Sequence, residues 1–272
     1  MIPLNYLALR IVRRHLPDAV VRSLLRRRII IKPGLETSDP AAAVQRFLDA
    51  ISQAGESVGG KRILIFGYGG NFGVGLGLLQ AGARHVVLVD PYARPARDAN
   101  LALARRGSPY LTASGGEVVP VPEYLTVVNA PVGKYLADGV PPVDVVLSNS
   151  VLEHVDDVAE TVPLLARATS PQGRQFHFVD MRDHFFRYPF EMLCYVDRVW
   201  RGVLNPGSNL NRLRAWDYER IFSASFPKVA VRALASDLAA FRKARPRIRP
   251  EFLSGDEAQD AVTRIFVHAS MA

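Results

Sequence analysis

The sequence predicts an α/β domain on a doubly wound, seven-stranded sheet, mostly parallel with an antiparallel last strand, with N-terminal helices and an insertion after the fifth strand. Three observations predict it. Short apolar runs of strand length alternate with amphipathic stretches from Arg62 to Asp180, a pattern that calls for right-handed crossovers and a parallel sheet. The first run ends in a glycine-rich turn and the second in an aspartate. Beyond Met181 the rhythm breaks, and two more strand-like runs close the chain.

The elements follow in order. Within residues 4–30, Leu4, Leu7 and Ile11, then Val20, Val21, Leu24 and Leu25, recur at helical spacing among arginines, and Pro17 with Asp18 divides them into two short helices. Pro40–Ala54 reads as a helix with Asp39 at its N-cap and Val44, Phe47, Leu48 and Ile51 as its apolar stripe. Arg62–Phe66 and His85–Asp90 read as buried strands. Leu125–Asn129, Val143–Ser148 and Arg174–Asp180 are the third to fifth strands, with Phe72–Ala81, Ala93–Arg106 and Ala159–Thr169 as intervening helices. Lys228–Leu234 and Val262–Ala269 complete the sheet, joined by the basic, proline-rich segment 242–250. The expected division is a helical extension or lid over 1–58 and a main domain over 59–272, with 182–226 as its substrate-binding insertion.

At 272 residues, 49% apolar and 22% charged, the chain is globular in composition. Its one cysteine, Cys194, forms no internal disulfide, and arginines at 10, 13 and 14 break up the apolar N-terminus that an export signal needs. The cytoplasm is therefore the expected compartment. Runs such as Val86–Val89 are far below the roughly 20 residues of a membrane span. The net charge of +8 is concentrated at Arg10, Arg13, Arg14, Arg22, Arg26, Arg27, Arg28 and Lys32, and again at Arg242, Lys243, Arg245, Arg247 and Arg249. Such stretches can meet a phosphorylated or lipid-linked acceptor, touch an anionic membrane surface, or simply face solvent. No zinc-ligand spacing, RNA-binding aromatic signature or helix-turn-helix accompanies them, so nucleic acid is not an expected partner.

The run Ile63-Leu64-Ile65-Phe66-Gly67-Tyr68-Gly69-Gly70-Asn71-Phe72-Gly73 lets a ligand approach bare backbone. Asp90, about 20 residues on, can accept hydrogen bonds from both hydroxyls of a ribose. Nucleotide-dependent dehydrogenases and S-adenosylmethionine methyltransferases share this layout. A dinucleotide fingerprint would need a glycine at 72, where phenylalanine stands.

The stretch Val143-Asp144-Val145-Val146-Leu147-Ser148-Asn149-Ser150-Val151-Leu152-Glu153-His154-Val155 resembles the fourth-strand motif of class I S-adenosylmethionine-dependent methyltransferases, a Rossmann-like family. With the glycine loop and Asp90, the resemblance covers roughly residues 60–180. It implies that Gly67, Tyr68, Gly69 and Gly70 line the methionine moiety of S-adenosylmethionine, that Asp90 with Pro91 holds the ribose, that Asn129 and Ala130 meet the adenine, and that Ser148 and Asn149 close the cleft. One departure stands out. The family's acidic residue two positions before the first glycine is replaced by Ile65, so the ammonium partner is expected elsewhere.

Methyl transfer to a hydroxyl needs alignment and a base, and histidine suits that role near neutrality. Two polar clusters fall at strand ends: Glu153-His154 after the fourth, and His177 to His184 around the end of the fifth. The expected catalytic group is His184, oriented by Asp180 or Asp183, with His154 as the rival base and His177 structural. Asp180, Asp183 and His184 are also of metal-ligating types, but their spacing is no metal signature, and no metal is assigned. The aromatics and Asn211-Arg212-Leu213-Arg214 of the insertion suit stacking on a sugar ring, and resemble a bacterial subgroup modifying glycans and natural products. The expected function is thus O-methylation of a small-molecule or glycan hydroxyl. The alternatives are an NAD(P)-dependent oxidoreductase and an RNA-directed or non-catalytic member of the methyltransferase fold.

Overall fold

The computed structural model describes residues 4–15, 38–137, 139–185, 187–205 and 209–272. Its strands are β1 (Arg62–Phe66), β2 (His85–Val89), β3 (Leu111–Ser114), β4 (Glu117–Pro120), β5 (Leu125–Val128), β6 (Val143–Asn149), β7 (Thr169–Asp180), β8 (Lys228–Ser236) and β9 (Val262–Ser270). In β1, β2 and β6 both faces are apolar, and period-two alternation sends them into two different cores. Leu64, Phe66, Val87, Val89 and Val146 face one. Ile63, Ile65, Val86, Leu88, Val145 and Leu147 face the other.

The seven-stranded sheet has the order β5-β2-β1-β6-β7-β9-β8. Every pairing from β5 to β7 is parallel, while β9 runs antiparallel to both β7 and β8. This is the Rossmann-like methyltransferase fold, with its one reversed strand formed by the last segment of the chain. The order reverses between β1 and β6, which opens a crevice beyond their C-terminal ends. A separate hairpin of β3 and β4 and a short helix over Val132–Ala137 occupy chain that the sequence reading leaves unassigned.

The helices used below are α1 (Leu4–His15), α2 (Pro40–Gln53), α3 (Gly73–Gln80), α4 (Arg97–Arg105), α5 (Val132–Ala137), α6 (Val158–Ala168), α7 (Ala215–Ser223) and α8 (Leu238–Ala244). Asp39 caps α2 as expected, its Oδ1 accepting from the Ala42 amide at 3.0 Å. Phe47 and Ile51 of α2 lie in the same core as β1 and α3. A boundary at residue 58 therefore cuts through one packing unit, and α2 is a layer of the main domain rather than a cover. The second basic helix, expected between Asp18 and residue 30, lies outside the described residues.

The insertion differs from expectation in kind. Phe190, Met192, Leu193, Trp200, Leu204 and Leu210 form a third core with Phe241 and Ala244 of α8. Phe190, Trp200 and Tyr218 are buried and pack the insertion onto the chain, while Phe185, Tyr188, Tyr195 and Trp216 are half-buried. The arginines are likewise engaged. Arg212 donates to the carbonyls of Met192 and Tyr195 and pairs with Asp197, and buried Arg214 donates to the carbonyls of Asp260 and Val262. Arg242, Arg247 and Arg249 pair with Glu257, Glu191 and Glu251. No helix among the described residues is long and apolar enough to cross a membrane.

Candidate functional site

A cleft of about 630 Å³ opens over the C-terminal ends of β1, β2 and β6. Its floor is the loop after β1. Gly67 and Gly70 have φ of +82° and +87°, a region that side chains disfavour. A Cβ on Gly67 would run into Val151, and one on Gly70 into the Arg94 carbonyl. Asn100 of α4 holds this loop from below, accepting from the Phe72 amide at 2.9 Å and donating to the Gly70 carbonyl at 3.0 Å. Nothing in the sequence reading picks out Asn100. A buried amide on an otherwise amphipathic helix is the one signal that could have done so.

Asp90 directly follows β2 on the cleft wall. Its Oδ2 accepts from the Gly69 amide at 3.1 Å, and its Oδ1 from the amides of Tyr92 and Ala93 at 2.9 and 2.8 Å. The carboxylate is thus fixed in orientation by backbone donors. Gly67, Gly69, Pro91 and Asn149 also line the cleft. Tyr68 does not: it is buried, stacks on Phe72, and donates its hydroxyl to Asn129 Oδ1 at 2.9 Å. In place of Asn129 and Ala130, the following residues Pro131, Val132 and Gly133 form that wall. Ser148 does not line the cleft either. Strand alternation turns its hydroxyl under the sheet, where it bonds His177 Nδ1 at 2.7 Å, and Ser150 takes the cleft position.

Ser150 has φ +53°, an uncommon conformation for serine that is concentrated at functional sites. Asn149 and Ser150 also border a second cavity of about 280 Å³, lined by Arg46, Phe178, Asp180 and Arg264. Arg46 reaches it from α2, donating to Asn149 Oδ1 at 2.8 Å and lying over the Phe178 ring. The two cavities therefore meet at the tip of β6.

The four residues expected to carry the chemistry separate into two groups. His154 lines the cleft, and its ring packs edge-on against that of His184, with centroids 4.7 Å apart. Burial and the neighbouring imidazole push the His184 pKa down to about 4. Neither of the carboxylates expected to orient His184 sets its environment. Asp180 is instead held by Arg182, at 2.8 and 2.6 Å. Asp183 is buried and accepts from Tyr6 at 2.5 Å, from the Phe185 amide at 2.9 Å and from Arg10. It anchors α1 to the insertion and does not orient His184. His177 is structural as expected: its Nε2 bonds Gln175 Oε1 at 2.9 Å, and burial pushes its pKa down to about 3.

Glu153 joins the imidazole pair. A carboxylate oxygen of Glu153 and one ring nitrogen each of His154 and His184 all lie within 4.8 Å of one another. Glu153 and His154 sit on a 3-10 turn, Leu152–His154, that the insertion clamps in place. Asn211 donates to the carbonyls of Leu152 and Val155 at 2.7 and 3.1 Å, and its amide to the Glu153 carbonyl at 2.8 Å.

No family model matches the chain, and no curated protein matches it. Solved structures do. A geranyl diphosphate methyltransferase in complex with SAM superposes with a TM-score of 0.51 at 14% identity, covering 85% of each chain. An S-adenosylmethionine-dependent methyltransferase from Mesorhizobium loti gives 0.43 at 19% identity, over 87% of this chain and all (100%) of that one. A Haloferax volcanii methyltransferase, solved in complex with the Trm112 activator, gives 0.45 at 13%, over 87% and 96%. The likeness is one of fold.

Proposed function

We propose that this chain is an S-adenosylmethionine-dependent methyltransferase that O-methylates a hydroxyl of a small molecule, such as a sugar or natural product. The observation that carries the reading is the cradle at the crevice between β1 and β6. Bare backbone at Gly67 and Gly69 faces a 630 Å³ cleft, and Asp90 is fixed on its wall by three backbone amides. Gly67 and Gly69 would lie under the methionine moiety, Asp90 would take the ribose hydroxyls, and Pro131–Gly133 would flank the base. Since Ile65 offers no carboxylate, the ammonium partner would come from Asp156, Asp157 or Glu160 on the opposite wall.

When bound, S-adenosylmethionine supplies a methyl carbon already activated on a sulfonium. What the chain must add is alignment, exclusion of water and activation of the acceptor oxygen. His154 and His184 are the groups for the last task, and the acceptor would enter where the two cavities meet at Asn149 and Ser150.

The start of α3 argues against a dinucleotide. A pyrophosphate needs free amides at a helix N-terminus. Here the Phe72 amide donates to Asn100 and the Gly73 amide to Asn71, at 2.9 and 2.8 Å. Calorimetry with S-adenosylhomocysteine and with NAD tests the choice. Micromolar or tighter binding of the first, with none of the second, is the expected result, and the reverse would sink the proposal.

A further inference from the structure

Glu153, His154 and His184 come from two segments of chain, and each segment is pinned on both sides. Asn211 fixes the turn that carries Glu153 and His154. His184 is flanked by Asp183, which is locked to Tyr6 and Arg10, and by Phe185, whose amide donates to Asp183. Glu153 is almost fully buried, and its Oε1 accepts from the Asp180 amide at 3.3 Å. Three donor atoms of metal-ligating type thus converge within 4.8 Å on one flank of the cleft.

We infer that Glu153, His154 and His184 form a binding site for one divalent transition-metal cation at the edge of the cleft. Two imidazoles and one carboxylate are the donor set of zinc, cobalt or iron(II), whereas magnesium and calcium prefer all-oxygen shells. A cation bonded at roughly 2.0–2.2 Å to each ligand holds them about 3–4 Å apart, so rotations moving the side-chain tips by about 1 Å close the site. Three protein ligands leave positions open towards the cleft that His154 lines. A hydroxyl oxygen of the acceptor fits there, and its O–H proton passes to solvent water more readily once the oxygen is bound to a cation. This role rests on the proposed methyl transfer; the site itself does not.

The test uses tag-free, chelator-treated protein and cobalt(II) alone, with neither cofactor nor acceptor present. One equivalent of cobalt should bind, with visible absorption that excess zinc displaces. Glu153→Gln and His184→Ala should each weaken binding by about 100-fold or more, since even outer partners of metal ligands are worth 10–100-fold. S-adenosylhomocysteine calorimetry on the same samples reports whether the variants remain folded and tests the methyltransferase reading separately. Wild-type protein that binds S-adenosylhomocysteine but no cobalt or zinc overturns the metal site and leaves the imidazoles as simple bases. Cobalt binding that survives both substitutions overturns it equally.

Discussion

The two walls of the cleft are built by opposite means. The β1–β2 wall is made of backbone: amides of Gly69, Tyr92 and Ala93 orient one carboxylate, and Asn100 ties the loop from a neighbouring helix. The β6–β7 wall is made of buried side chains recruited from far along the sequence. Tyr6 and Arg10 reach Asp183, Asn211 reaches the Leu152 turn, and His154 meets His184. A wall of backbone holds its shape with few side chains, but leaves no room for a Cβ at Gly67 or Gly70. A wall of interlocked polar side chains couples chemistry to stability, because each buried group depends on a specific partner.

The largest expected effect separates the walls cleanly. His184→Ala should lower methyl transfer by roughly 10²–10⁴-fold, the usual contribution of acid–base activation, while S-adenosylhomocysteine affinity stays within about twofold of wild type. His154→Ala, measured beside it, shows which imidazole matters more. Near-wild-type turnover in both variants would mean that the acceptor is acidic enough to need neither.

Next in size is the anchor behind His184. Asp183→Asn leaves the buried Arg10 guanidinium without its counter-charge, and losing one partner of a buried pair destabilises by about 3–5 kcal/mol. Chemical denaturation should show that loss, and Arg10→Met combined with Asp183→Asn should recover part of it. Turnover per folded molecule should fall less than in His184→Ala. An equal fall would restore Asp183 to the catalytic role that its sequence position implies.

The backbone wall gives a smaller number. Asp90→Ala should weaken S-adenosylhomocysteine binding by about 2 kcal/mol, the scale of hydrogen bonds to a charged group. Unchanged affinity would mean that the ribose is held elsewhere.

The same contrast explains what could be read from the sequence. The β1–Gly67–Asp90 layout is local: a strand, a turn and a strand, each with its own pattern, and six of the seven sheet strands fall within a residue or two of their expected bounds, with β7 beginning earlier, at Thr169. The hairpin of β3 and β4 was missed, although Gly115-Gly116 joins two short runs with strand character. The imidazole wall was only half legible. His154 and His184 stand at strand ends, where ligands bind, but their contact depends on a turn clamped by Asn211 some sixty residues away. Asp183 was misjudged because neighbouring positions in a loop point in different directions: its carboxylate turns to α1, and His184 turns to His154. Composition alone could not tell which of the insertion's aromatics form a small core, as Phe190 and Trp200 do, and which stay half-exposed, as Tyr188 and Trp216 do.

The last and smallest effect concerns acid. His177 sits beneath the β6–β7 wall with Ser148 and Gln175 as its hydrogen-bond partners and Phe222 against its ring. Burial alone lowers its pKa from the ordinary imidazole value near 6.5 to about 3, so the folded protein keeps the ring neutral where the unfolded chain protonates it. The stabilisation is present above the unfolded value near 6.5 and is lost as pH falls towards 3. Between pH 7 and 5.5 the loss from this one residue should be about 1 kcal/mol. Denaturation curves at the two pH values measure it, and His177→Gln, which cannot titrate, should flatten the difference by that amount even if it lowers stability at both. An unchanged slope in that variant would assign the acid sensitivity to the other imidazoles whose pKa values burial lowers, His184 in the same wall or His85 and His268 elsewhere.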